Sequence, residues 1–435
     1  MTPSRQLVIA SLVSLICTAA SARDLELGTP FRDHMVLQRG KPIPVWGWAE
    51  PGDEVTVAFA EQRRVAMAAM DGAWTVRLEP LSASKTPASL TVTSRGGGTI
   101  TVTDVLVGEV WLGSGQSNMR MQVARADDYE REKSDADLPL VRMFTEESPG
   151  ASTPQDRGLG TWSVCTPGSV GAFSATLFFF GREIHRALDV PVGLIHSSVG
   201  GTPIEAWIGA DAQRRSPELA AAVAAIDADG EALSSPTAVA NHGTAMEQWR
   251  ENAAAARRAG RAPPRRPKDP IDSLNRRRLG CLFNGKIAPL VPFAIRGVVW
   301  YQGEANAQNG RAEHYRHQLP LLVSDWRERW GEELPFAWVQ LPNFGRGGEG
   351  WMVVREAMLE GLRLPRTGMA ITVDIGDPKD IHPRNKQDVG RRLAAWALAD
   401  VYEQDVPARS GPLPAGSEVR GSDVVCRFSE DRGLC

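Results

Sequence analysis

The chain has 435 residues, 42% hydrophobic and 23% charged, a balance that fits two or three folded domains and excludes a disordered or fibrous polymer. Its formal net charge of -3 leaves no overall field to recruit nucleic acid or an acidic membrane surface. The five cysteines form neither a disulfide framework nor a zinc-type spacing.

In chain order, Arg5 precedes an apolar run over residues 7–19, and Ala20-Ser21-Ala22 has the small-x-small pattern of a cleavage site. Residues 1–22 therefore read as a signal peptide, with the product periplasmic or secreted. No later apolar stretch reaches about 18 residues, so no membrane partner is expected after cleavage. Residues 23–104 carry short alternating segments such as Val55-Thr56-Val57-Ala58-Phe59 and Trp74-Thr75-Val76-Arg77-Leu78, separated by Gly and Pro turns. Period-two segments at this spacing predict a small β-sandwich, with Trp46 and Trp48 on one strand face as core.

Over residues 105–405 the texture changes. Continuous apolar runs at 107–112, 192–195, 296–301, 336–341 and 369–373 alternate with helical patterns at 173–188, 315–329 and 387–401. This predicts an α/β fold: a parallel sheet covered on both faces, with its site beyond the carboxyl ends of the strands. Residues 209–273, rich in Ala, Arg and Glu and then Pro, predict a helical insertion. The basic runs at 257–266 and 276–278 lack interleaved aromatics and read as a solvated face or linker. Residues 406–435 start a β unit that stops abruptly, which suggests a truncated C-terminus.

Four segments carry chemistry. Gly113-Ser114-Gly115-Gln116-Ser117 follows the 107–112 run and sets a hydroxyl at a strand-to-helix turn, where backbone N–H groups converge. Gly200-Gly201 lets the backbone approach a ligand closely and offers an oxyanion donor. Gln302, Glu304 and Asn306 follow the run ending at Tyr301. Asp380 and His382 lie in an acidic loop and supply a base with an orienting carboxylate. A metal site from Asp374, Asp377, Asp380 and His382 is the competing reading, but the spacing fits no calcium loop, so neither metal nor other cofactor is expected.

Together these segments resemble the SGNH hydrolase superfamily and, within it, the sialate O-acetylesterase family. Gly-Gln-Ser-Asn-Met at 115–119, Gly-Gly-Thr-Pro-Ile-Glu-Ala-Trp at 200–207, Trp-Tyr-Gln-Gly-Glu-Ala-Asn at 300–306 and Asp-Ile-His-Pro-Arg-Asn-Lys at 380–386 carry the likeness. The resemblance implies a flavodoxin-like sheet and metal-free hydrolysis of an O-acetylated carbohydrate. Ser117 would be the nucleophile, His382 the base, and the backbone of Ser117 and Gly201 the oxyanion hole. Gln302 would stand in for the superfamily's asparagine, with Asn306 as second candidate. Lys379 occupies the place where the superfamily commonly has its acid. Asp380 is therefore the first choice for orienting His382, and Glu304 the rival. The alternatives are a deacetylase of acetylated xylan with the same fold and a catalytically silent carbohydrate-binding relative.

Overall fold

The computed structural model describes residues 24–308 and 310–430; the expected signal peptide lies outside the described residues. The alternating N-terminal segments become strands β1 (Glu26–Leu27), β2 (Val36–Gln38), β3 (Ile43–Trp48), β4 (Glu54–Phe59), β5 (Gln62–Met67), β6 (Ala73–Leu78) and β7 (Ser84–Ser94). Strands β1, β3 and β6 form an antiparallel three-stranded sheet. In a second sheet β4 lies between β5 and β7, again antiparallel. Apolar residues of both sheets, among them Val45, Val76, Val55, Val57 and Val92, share one core. Trp46 and Trp48 are buried as expected, Trp46 packing edge-on against Phe31 with ring centroids 4.8 Å apart.

The next strand, β8, runs unbroken from Thr99 to Gly115, so the expected boundary at residues 104 and 105 falls inside one element. Its first half pairs with β7 and, over Leu106–Gly108, with β2. Its second half is the centre of the larger α/β sheet. Buried Glu109, near the middle of β8, accepts hydrogen bonds from Arg39 and Gln38 on one side and from Arg296 on the other. Burial would raise this carboxyl, but those donors hold it below its ordinary value.

Beyond β8 come α1 (Ser117–Arg120), α2 (Tyr129–Ser134), β9 (Leu138–Glu146), β10 (Gly160–Cys165), α3 (Ala175–Leu188) and β11 (Val192–Ser198). The insertion follows as α4 (Ala210–Arg215), α5 (Ala220–Ser234), α6 (Pro236–Arg258) and α7 (Pro270–Arg277), with no regular structure between α6 and α7. Then come β12 (Gly297–Tyr301), α8 (Tyr315–Trp330), β13 (Phe336–Val339), α9 (Gly348–Gly361), β14 (Thr367–Ala370) and α10 (Lys386–Trp396). The sheet order is β10-β9-β11-β8-β12-β13-β14. All neighbours are parallel except β10, which pairs antiparallel with β9. The sheet is therefore mixed rather than wholly parallel. The 147–159 connection returns the chain without a crossover helix, and such a return gives an antiparallel partner.

Continuous apolar runs mark strands buried on both faces. On β12, Val298 and Trp300 join the core under α8 and α9, whereas Val299 and Tyr301 join the core under α3 and α10. Trp300 stacks edge-on between Trp207 and Trp326, at 5.9 and 6.0 Å. After α10 the chain ends its described part in an antiparallel hairpin, β15 (Leu413–Arg420) and β16 (Asp423–Ser429). Among the described residues no helix is long and apolar enough to cross a membrane.

Candidate active site

The segments after β8, β11, β12 and β14 lie at the carboxyl ends of parallel strands, where a doubly covered sheet exposes its loops. Gly115 ends β8 at φ +138°, and a Cβ there would sit 2.1 Å from the carbonyl oxygen of Tyr301. Only glycine lets the two strand ends lie so close. The chain then turns at Gln116 and begins α1 at Ser117, whose N–H, as the first of a helix, has no partner within it. Thus the hydroxyl and a free donor are presented together.

The structure brings His382 to this serine. His382 Nε2 lies 2.8 Å from Ser117 Oγ, across 265 residues of sequence. The loop before His382 is built by short-range bonds: Asp377 Oδ1 accepts from the Lys379 N–H at 2.7 Å, and Asp380 Oδ1 from the His382 N–H at 2.9 Å. The same Asp380 oxygen lies 3.8 Å from His382 Nδ1, an ion-pair distance longer than a hydrogen bond, on a side chain 53% exposed. Burial holds the imidazole below its ordinary pKa, opposed by the Asp380 carboxylate and reinforced by Lys386 and Arg125. A neutral imidazole, able to take a proton, is thereby favoured.

Glu304 also reaches the cleft but makes a different contact. Its Oε1 accepts from Asn118 Nδ2 at 2.5 Å, and among the described residues no carboxylate other than Asp380 is within ion-pair distance of the His382 ring. Asn118 is the hub of this region. Its Nδ2 also donates to the Ile381 carbonyl at 2.9 Å, and its Oδ1 accepts from Lys386 Nζ at 2.7 Å. Lys386 in turn donates to the Pro383 carbonyl at 2.7 Å. The residues on either side of His382 are thus tied to the residue after Ser117. Burial raises the Glu304 carboxyl and lowers the Lys386 ammonium to about 7.

The oxyanion candidates divide. Gly201 adopts φ +71° with open space where a Cβ would stand, and Gly200 lies against Ser117, its hypothetical Cβ 3.4 Å from that of Ser117. Both border a cleft of about 400 Å³ with Ser117, Glu304 and His382. Gln302 and Asn306 do not border it. Gln302 is fully buried, its Nε2 donating to Asn306 Oδ1 at 2.8 Å and to Gln116 Oε1 at 3.2 Å. Asn306 is equally buried, accepting from the Ile204 N–H and donating to Glu205. Both amides lie beneath the cleft rather than in its wall. Gln302 stands two residues past Trp300 and continues its inward face beneath the loop instead of rising out of it. Gln116, whose side-chain oxygen accepts from Gln302 and from the Ala305 N–H, lines the cleft in their place.

Gln116, Arg277 and Arg311 also line the cleft, and Asn118 and Lys386 back it; none of the five has a role in the sequence pattern alone. Gln116 and Asn118 flank the nucleophile, so adjacency was the available signal; Lys386 ends the segment that carries His382. The competing metal cluster does not assemble: Asp374 is bound by Arg392 at 2.6 Å, and no group of three or more His, Cys, Asp or Glu among the described residues could hold a metal ion.

Comparisons with known proteins show the family. The family model described as carbohydrate esterase, sialic acid-specific acetylesterase matches residues 214–399. The sialate O-acetylesterase of Mus musculus is 30% identical over 476 residues, covering 97% of this chain and 82% of that protein. That of Homo sapiens is 29% identical, covering 95% and 78%. A carbohydrate acetylesterase from Xanthomonas citri superimposes with a TM-score of 0.76 at 33% identity, covering 93% of this chain and 81% of that one. Fold, site and relatives define a carboxylic ester hydrolase. The chain belongs to the sialate O-acetylesterase family.

Proposed function

We propose that this enzyme removes O-acetyl groups from sugars, with O-acetylated sialic acid as the first substrate to test. The observation that carries the reading is the 2.8 Å contact between His382 Nε2 and Ser117 Oγ at the wall of a ligand-sized cleft. Ser117 attacks the acetyl carbonyl while His382 takes its proton. The N–H groups of Ser117 and Gly201 hold the oxyanion. His382 then protonates the departing sugar oxygen, and water repeats the cycle on the acetyl-enzyme. Asp380 orients the imidazole, its 3.8 Å separation closing to a hydrogen bond when the cleft is occupied.

Residues 23–104 serve as a β-sandwich domain and 105–405 as a flavodoxin-like catalytic domain; the two apolar sheets sharing one core and the parallel strand order support this division. Export to the periplasm or beyond, proposed from the leading apolar run, would bring the enzyme to extracellular glycans. Acetate release from O-acetylated sialic acid and from acetylated xylan, by wild type and by Ser117→Ala, tests the reading. The variant is expected to lose at least about 10³-fold in kcat/KM. Near-normal turnover by Ser117→Ala would reject the mechanism.

A further inference from the structure

The basic stretches expected as a solvated face or linker are exposed, and part of them borders a groove beside the catalytic cleft. Residues 265–268, between α6 and α7, bring Arg265, Arg266 and Lys268 to face Arg276 and Arg277 at the end of α7, around a cavity of about 590 Å³. Two carboxylates, Asp269 and Asp272, share the lining. Asp269 Oδ1 is already engaged by the Ile271 N–H at 2.8 Å, capping α7. None of the five cations makes an ion pair among the described residues. Five cations against two carboxylates leave the lining net positive, in a chain whose net charge is -3.

The groove and the catalytic cleft share a wall. Gly200, Gly201 and Arg277 border both. Arg276 Nη2 donates to the Gly200 carbonyl at 2.6 Å, tying the insertion to the loop that backs Ser117. Each hollow has a volume in the range of small-ligand sites, about 300–1,000 Å³. A ligand longer than one sugar can therefore pass from one to the other without leaving the surface.

We propose that the groove is a subsite for an acidic saccharide. The acetylated sugar occupies the catalytic cleft, and a carboxylate on the neighbouring sugar lies among Arg265, Arg266, Lys268 and Arg276. The inference rests on the esterase reading above and extends it to substrate selection. Guanidinium groups match a carboxylate bidentately, and several around one hollow also draw the anion in from solution. Exposure to solvent makes this attraction sensitive to salt.

The test compares three esters: 4-nitrophenyl acetate, an O-acetylated oligosaccharide with a uronic acid next to the acetylated sugar, and the same oligosaccharide with that carboxyl methyl-esterified. Wild type is expected to show a KM roughly tenfold lower for the acid than for its methyl ester at about 0.05 M NaCl, with the gap closing near about 0.5 M. The triple variant R265Q/R266Q/K268Q should abolish the preference while turning over 4-nitrophenyl acetate like wild type. Equal KM values for acid and methyl ester in wild type, or a preference that survives the triple variant, would overturn the groove. The wild-type salt series decides the question even where the triple variant fails to fold. Failure to hydrolyse any of the three esters would instead strike down the esterase reading and the groove with it.

Discussion

Replacing Asn118 by Ala probes the hub beside the nucleophile without touching the reacting atoms. The substitution deletes the donor to Glu304 at 2.5 Å, the donor to the Ile381 carbonyl at 2.9 Å and the acceptor for Lys386 at 2.7 Å. Lys386 keeps the Pro383 carbonyl, but Glu304, whose Oε2 already has no partner among the described residues, loses its Oε1 bond. A buried polar group left without its partner costs about 1–3 kcal/mol, and more when charged, so a loss of roughly 3 kcal/mol is expected. At the ~2 °C per kcal/mol proper to larger chains, Tm falls by roughly 6 °C. The effect on catalysis is separate: with the Ile381 tie gone, His382 shifts relative to Ser117, and a displacement of about 1 Å costs on the order of 10²-fold in rate. Thermal melting followed by circular dichroism, together with initial rates on 4-nitrophenyl acetate, reads both quantities. A Tm within about 1 °C of wild type and a kcat/KM within about twofold would refute the hub.

Burial lowers the pKa of His382, so kcat/KM should rise with pH through a midpoint below the ordinary histidine value of about 6.5, as the imidazole sheds its proton. Asp380→Asn removes the charge that props this pKa up, so the midpoint should move further down while the plateau rate drops roughly tenfold or more; a pH–rate profile measures both. Gly115→Ala sets a Cβ 2.1 Å from the Tyr301 carbonyl oxygen at φ +138°, costing more than about 4 kcal/mol, and soluble expression should be lost. Gln302→Ala frees Gln116 and Asn306 beneath the cleft; a lower Tm with a raised KM is expected, and an unchanged KM would deny Gln302 its supporting role.

The catalytic core was legible because its strands are buried on both faces and must be continuously apolar. The runs at 107–112, 192–195 and 296–301 became β8, β11 and β12. Ser117 was legible for a related reason, since polar residues directly after such runs occupy loops at strand ends, whereas His382 stands nine residues past the 369–373 run and was marked by the acidic loop around it. Strands β9 and β10 were not, since Leu138–Glu146 mixes Pro, Arg and Thr into its apolar residues and Gly160–Cys165 alternates weakly. Helix α9 begins Gly-Glu-Gly, with two poor helix formers in its first three residues, and is held by packing of Trp351, Val354 and Met358 rather than by propensity. Gln302 and Asn306 had the right chemistry at the right distance, but which way an amide points past a strand end depends on the neighbouring loop. The Asn118 hub required knowing that residues 304, 381 and 386 converge, which no local pattern encodes.

Strand β8 carries a consequence for how this molecule comes apart. The ribbon that ends on the nucleophile begins beside β7 in the N-terminal sheets, and Glu109 is clamped from Arg39 on one side and Arg296 on the other. Heat or protease cannot loosen the leading portion without tugging the reactive hydroxyl out of register with its base. Hydrolytic activity and the integrity of the N-terminal sheets, Glu26 to Ser94, should therefore vanish in a single cooperative event, and a shortened enzyme starting after that portion would be born inert.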